Sequence, residues 1–266
     1  MTADEVPGYL HGHHDSVLRS HRWRTAQNSA AYLLEILDPS ATILDIGCGP
    51  GTVTADLASR VAPGRTIGLD QSVGVLSEAR AGAPGVSFIA GDLFELPLAD
   101  ASVDVVHLHQ VLQHLDDPVA ALRSVRRVIR PGGLLAARDA DYGAMTWSPE
   151  IPELDAWNRL YHLAARQAGG EPDAGRHLAA WASQAGFEDV TSSESTWVFD
   201  SPEDRAWWGT LWADRVLSSN FAVRVLAGGL ATTDEVEAMA EAWRRFAVAP
   251  SGWFRVPSGE ILCRFG

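Results

Sequence analysis

Between residues 42 and 138, short apolar runs alternate with segments whose apolar positions recur at helical spacing. Thr42–Ile46, Arg65–Leu69, Val86–Ala90, Val103–His109 and Leu134–Arg138 have strand length and the apolar content of buried strands. Between them, Thr52–Arg60, Val73–Arg80 and Pro118–Ile129 read as helices, the last with its arginines on the outer face. Strands alternating with helices over short connections predict βαβ units and a parallel, doubly wound sheet. Upstream, Ala26, Ala30, Leu33, Leu34 and Leu37 predict a helix over Thr25–Leu37, closed by Asp38-Pro39. Residues 1–20 are polar and His-rich and read as irregular.

Beyond Asp139 the pattern changes, and nine of the ten tryptophans lie there, from Trp147 to Trp253. Helices are predicted over Leu154–Ala168 and Arg176–Ala185, then a strand over Val190–Phe199. Two further helices, Glu203–Ala227 and Thr233–Val248, precede a closing strand at Glu260–Phe265. The expected organisation is one domain over residues 1–266, with an N-terminal segment 1–24 and a core 25–140. Residues 141–266 complete the sheet and insert a helical cap at about 200–248 between its last two strands. Most of the tryptophans are expected to form the core of that cap.

Composition narrows the partners. With 46% hydrophobic residues the 266-residue chain has ample core material, which excludes disorder as its dominant state. A net charge of −13 argues against nucleic acid and against an anionic membrane surface. The start of the chain lacks the basic and apolar regions of a signal peptide, and no apolar run approaches the ~20 residues of a spanning helix. The expectation is a soluble, cytoplasmic protein acting on a small molecule. The two cysteines, Cys48 and Cys263, make no disulfide framework. His11, His13 and His14 have no acid or Cys cluster beside them, so no metal is expected.

The sharpest chemical signal is Ile43-Leu44-Asp45-Ile46-Gly47-Cys48-Gly49-Pro50-Gly51, an apolar strand ending in an acid and a glycine cluster before a helix. Glycines there let the backbone turn tightly and approach a ligand. The carboxyl end of the first strand is where doubly wound sheets bind nucleotide-like ligands. Two ligand classes compete. A dinucleotide fold asks for G-x-G-x-x-G, whereas the spacing here is G-x-G-x-G, and Asp45 suits an amino group better than a pyrophosphate. Gly68-Leu69-Asp70 ends the second strand with a carboxylate suited to a ribose diol. Gly91-Asp92-Leu93 ends the third with an acid and an apolar cover suited to adenine. The fourth strand runs into His107-Leu108-His109-Gln110-Val111-Leu112-Gln113-His114-Leu115, with His107 and His109 on the same side of the strand, and Arg130-Pro131-Gly132-Gly133 follows.

In this ordered set the chain resembles the class I S-adenosylmethionine-dependent methyltransferases, with the closest likeness to the ubiquinone/menaquinone-biosynthesis branch. The likeness covers residues ~25–140 well and the C-terminal half loosely. It implies a Rossmann-like, doubly wound, seven-stranded sheet with a C-terminal helical cap, and S-adenosyl-L-methionine as cofactor. It further implies that Gly47, Cys48, Gly49 and Gly51 hold the methionine end, with Asp45 near its amino group. Asp70 and Gln71 would take the ribose, Asp92 and Leu93 the adenine, and the backbone of His109 and Gln110 the region near the sulfonium. The family often closes this site with an N-terminal segment, which makes Tyr9, His14, His21, Trp23 and Arg24 lid candidates. Arg24 is the candidate partner of the methionine carboxylate.

The candidates for a catalytic base are His114, then His109, then Asp139 and Asp141, which with Tyr142 follow the fifth strand at the sheet edge where the acceptor should sit. For each the competing reading is structural. Arg176 is a candidate grip for an anionic substrate or a surface residue. The function expected is methyl transfer to an O- or C-nucleophile of a small, largely hydrophobic metabolite by a monomer or homodimer. The alternatives are a cofactor-binding protein that catalyses a non-methylating reaction such as a cyclisation, and a Rossmann oxidoreductase.

Overall fold

The computed structural model describes residues 15–266, so Tyr9, His11, His13 and His14 lie outside the described residues. Five strands pair in parallel: β1 (Thr42–Ile46), β2 (Arg65–Asp70), β3 (Ser87–Ala90), β4 (Val103–His109) and β5 (Ile129–Ala140). The last long strand, β8 (Trp253–Arg264), runs antiparallel to β5 on one edge and to β7 (Asp189–Phe199) on the other. The resulting order, β3-β2-β1-β4-β5-β8-β7, is the expected seven-stranded sheet. An eighth strand of three residues, β6 (Thr146–Ser148), pairs with the start of β8 beyond the end of β5. Sequence reasoning missed it.

Alternation along β1 sorts the two faces. Ile43 packs with Val105, Leu134, α2 (Ala26–Ser29), α3 (Ala31–Leu34) and α4 (Thr52–Arg60). Leu44 and Ile46 belong to the other face, with α6 (Pro118–Val128) and α8 (Leu178–Gln184). The remaining core helix, α5 (Val73–Gly82), packs Leu76 and Ala79 against Phe88 and Cys48. Each fully buried Leu or Ile in these layers contributes about 1.5–3 kcal/mol.

The cap is built from α7 (Pro152–Gln167), α9 (Pro202–Ser218), α10 (Asn220–Ala227) and α11 (Thr233–Ala247). Its core holds Trp157, Trp197, Trp208, Trp212 and Trp243, all buried, with Trp147 and Trp207 packed against them, so seven of the nine tryptophans beyond Asp139 are packing material.

Three predicted elements differ in the structure. The helix expected over Thr25–Leu37 is two short turns that break at Ala30, the first closed by a capping box between Thr25 and Asn28. The helix expected over Glu203–Ala227 breaks at Ser219, whose extended backbone starts α10 while its hydroxyl accepts from Phe221 N. The closing strand begins seven residues earlier than expected, at Trp253, because pairing with β7 holds Pro257 and Gly259 extended. In addition, α1 (Asp15–Arg22) is helical where irregular chain was expected. Among the described residues no helix is long and apolar enough to cross a membrane.

Candidate active site

The glycine loop follows β1 in left-handed backbone, with φ of +66° at Gly47, +54° at Gly49 and +81° at Gly51. A Cβ at Gly47 would lie 2.4 Å from Val111 Cγ2, and one at Gly51 would lie 2.9 Å from Ala79 Cβ. Those two glycines therefore let the loop pack. Gly49 is different, since a Cβ there would meet only His21 Nδ1 at 3.7 Å. It faces a cavity of about 620 Å³ at the carboxyl ends of β1, β2 and β4, within the range that holds small ligands.

The cavity wall gathers His21, Arg24, Asp45, Gly47, Cys48, Gly49, Asp70, Gln71, Leu93, His109, Gln110, His114 and Tyr142, thirteen positions singled out from sequence. Asp45 is buried, and its carboxylate is held from two sides. Thr54 Oγ1 donates to Oδ2 at 2.5 Å, and His107 Nδ1 lies 2.7 Å from Oδ1. The Asp45–His107 pair follows from cross-strand register, since the two residues are partners in the β1–β4 ladder. Asp70 accepts from Gly49 N at 3.0 Å and from Ser72 N at 2.9 Å. A carboxylate has about four acceptor sites, so two remain for a diol. Beside Cys48, burial pushes the thiol pKa upward, which leaves it a neutral wall group.

Gln110 sits at the end of β4 with φ +54°, a conformation that costs a non-glycine residue about 1–2 kcal/mol. Its N–H donates to Arg138 O at 2.7 Å, and its Oε1 accepts from Arg24 Nη2 at 2.6 Å. The side chain of Arg24 is thereby brought over the cavity from the chain after α1. That helix is tied to α5 by Arg22–Glu78 and to α9 by Arg19–Asp214. Arg215 of α9 adds an inner tie, donating from Nη2 to Ser16 O and Ser20 Oγ.

The rings of His107 and His109 stack at 6.4 Å on the same side of β4, as expected. Burial, reinforced by Arg24 and Arg138, holds His109 well below the ordinary histidine range. His114 lies on a 3-10 turn, Leu112–His114, and burial together with Arg24 lowers it to about 3. Both are neutral at pH 7 and both are weak bases.

Four expected site residues stand away from the wall. Asp92 is exposed and its Oδ1 accepts from Phe94 N at 2.9 Å, the loop-closing role. Gly51 faces α5. Asp139 is wholly buried one layer beneath the wall, with Oδ1 accepting from Gln113 N at 3.2 Å. It holds the turn that carries His114. Asp141 is clasped by Arg176, whose Nε and Nη2 donate at 2.7 and 2.5 Å, so each neutralises the other at the loop.

Sequence reasoning missed Gln113, Gln167 and Arg215 as wall residues. They come from three separate elements, and no local pattern marks them. Both ring nitrogens of His109 and the Oε1 of Gln113 are buried without a protein partner among the described residues. Buried polar atoms at a cavity wall are what a polar ligand satisfies. With the open cradle at Gly49 and the carboxylate at Asp70, this donor and acceptor set fits an amino-acid nucleoside. Among the described residues, no group of three His, Cys, Asp or Glu side chains is placed to hold a metal ion.

The family described as "Methyltransferase domain" matches residues 44–137. A protein of Schizosaccharomyces pombe named as an uncharacterized methyltransferase is 35% identical, over 96% of this chain and 95% of its own. The "Probable methyltransferase ltbC" of Aspergillus luteorubrus is 30% identical over 97% of each chain. Among solved structures, YcgJ of Bacillus subtilis superposes with a TM-score of 0.58 at 17% identity, covering 90% of this chain and 98% of that one.

The chain belongs to the class I S-adenosylmethionine-dependent methyltransferases. S-adenosyl-L-methionine is its methyl donor, and the glycine-loop end of the cavity is where the residues fit it.

Proposed function

We propose that the protein transfers the methyl group of S-adenosylmethionine to an O- or C-nucleophile of a small, largely apolar metabolite seated between Gln113, His114, Tyr142 and the cap. The bound cofactor supplies an already activated methyl group. The protein's part is to align the acceptor and exclude water. Asp45 and Gln110 orient the methionine end, Asp70 the ribose, and Leu93 covers the base. The roof of α1 and the cap keeps solvent from the reacting atoms.

The observation that carries this reading is the continuity of the cavity. It runs without interruption from the glycine loop and Asp70 to Tyr142, Gln167 and Arg215. An acceptor at that second end lies beside the strand end where His109 and Gln110 meet the cofactor. Neither His109 nor His114 is tuned near neutral pH, as an efficient general base would be, and we assign the chemistry to alignment.

The reading is tested by incubating the protein with S-adenosylmethionine and a panel of small acids, phenols and enolisable ketones. Release of S-adenosylhomocysteine that depends on one acceptor supports it. Acceptor-dependent conversion without that release would show the site serving a non-methylating reaction.

A further inference from the structure

Two donors close on Asp45 from beneath the cavity wall. Asp45 lines the cavity, whereas His107 and Thr54 are fully buried and are not among its lining residues. The β1–β4 register brings His107 beside Asp45, and α4, which starts directly after the glycine loop, brings Thr54. His107 Nδ1 lies 2.7 Å from Oδ1 and Thr54 Oγ1 lies 2.5 Å from Oδ2, so each carboxylate oxygen is bonded from the protein side. A carboxylate held at both oxygens cannot turn without breaking one bond. It has about four acceptor positions, so about two remain for a ligand.

The competing reading is that a buried His–Asp pair merely satisfies itself and stiffens the sheet. Two observations count against it. A buried polar pair is a poor source of stability, because apolar residues of similar volume serve as well. The next pair of the same ladder on the same face, Ile43–Val105, is apolar. The second observation is that His107 uses only one ring nitrogen, since Nε2 is buried with no partner among the described residues. A hydrogen on both nitrogens would leave one N–H buried without an acceptor, so the geometry fits a neutral imidazole with its hydrogen on Nδ1. The Thr54 hydroxyl is neutral as well. Both donors therefore fix the orientation of Asp45 without cancelling its charge, which a guanidinium in their place would do.

Resting on the reading above that Asp45 orients the methionine end of the cofactor, we propose that His107 and Thr54 are positioning residues for the cofactor's amino group. They hold the Asp45 carboxylate charged and in one orientation, so that its free acceptor positions receive an ammonium group. A charge-assisted bond of this kind gains from a fixed acceptor at a largely desolvated wall. Neither residue touches the cofactor, and both act through Asp45.

Two probes separate this role from a structural one by calorimetric titration. S-adenosylhomocysteine carries the amino group, whereas 5′-methylthioadenosine keeps the adenosine and the thioether and lacks the amino-acid end. His107→Phe and Thr54→Val should each weaken S-adenosylhomocysteine at least about fivefold and leave methylthioadenosine within about twofold. His107→Gln, which returns an N–H donor, should recover part of the loss. In an Asp45→Asn background, His107→Phe should cost less than about twofold more, because the group it acts through is already changed. The proposal is overturned if both variants bind S-adenosylhomocysteine at wild-type strength, or if the two probes weaken equally, which would mark a packing defect. It is equally overturned if His107→Phe costs as much without the Asp45 carboxylate as with it. Should His107→Phe not fold, Thr54→Val carries the same comparison. A wild type that does not bind S-adenosylhomocysteine would refute the cofactor reading, and Asp45→Asn binding it at full strength would refute the assignment of Asp45; either result takes this proposal with it.

Discussion

Replacing Asp139 with Asn isolates the most perturbed carboxylate in the site. Asp139 is wholly buried, its Oδ1 accepts from Gln113 N, and its Oδ2 has no hydrogen-bond partner. Burial raises its pKa from the ordinary 3.8 to about 7, against the opposing pull of the Gln113 and Leu112 N–H groups. The folded state thus keeps this proton to a higher pH than the unfolded state does. Stability from this group is fully present below about pH 4 and is lost as pH rises through about 7. A difference of roughly three pKa units corresponds to about 4 kcal/mol at most. Asparagine keeps an oxygen for Gln113 N and cannot ionise. Asp139→Asn should match the wild type near pH 4 and exceed its stability by up to about 4 kcal/mol near pH 8. Urea unfolding of both proteins across that range measures the difference directly. His109 and His114, held neutral by burial, lower stability as pH falls below the ordinary histidine range, but they do so in both proteins and cancel. A variant no more stable than the wild type at pH 8, or a difference independent of pH, would refute the account of Asp139.

Three further outcomes follow from the wall geometry. Asp70→Ala removes the acceptor of Gly49 N and Ser72 N as well as the proposed ribose partner. With charge-assisted bonds worth roughly 1.5–3 kcal/mol each, S-adenosylhomocysteine affinity should fall at least tenfold by calorimetry; unchanged affinity would move the ribose elsewhere. Gly49→Val puts a branched side chain into the open side of the loop at a φ of +54°. It should abolish cofactor binding while circular dichroism stays native-like, and binding at wild-type strength would remove the loop from the site. His114→Ala should lower turnover by less than about tenfold, because a group held near pKa 3 contributes little as a base. A loss of ~100-fold or more, with cofactor affinity unchanged, would restore His114 as the base.

The two ends of the cavity were legible from the sequence to different degrees, and the reason is physical. At the cofactor end each contact is a local consequence of a strand ending in a turn. Asp45, Gly49 and Asp70 stand at the carboxyl ends of β1 and β2, where period-two alternation and glycine spacing betray them. The same local logic placed His107 and His109 on one side of β4. It does not reach Asp139, a strand residue that anchors the Leu112–His114 turn through Gln113 N.

At the other end little is local. Tyr142 follows β5 where the sequence placed it, but Arg24 reaches the wall from the chain after α1, Gln113 from the turn after β4 and Arg215 from the last turn of α9. In a Trp-rich amphipathic helix, Arg215 looks like a solvated arginine. It is a wall residue in the fold, where its Nη2 bonds Ser16 O and Ser20 Oγ of α1. Arg176 shows the converse. In sequence it had the better claim to grip an anion, in a glycine-rich loop entering a helix, yet Asp141 takes both its donors. Which arginine lines the cavity is set by how the helices pack on the sheet, and the residues that flank each one in sequence carry no mark of it.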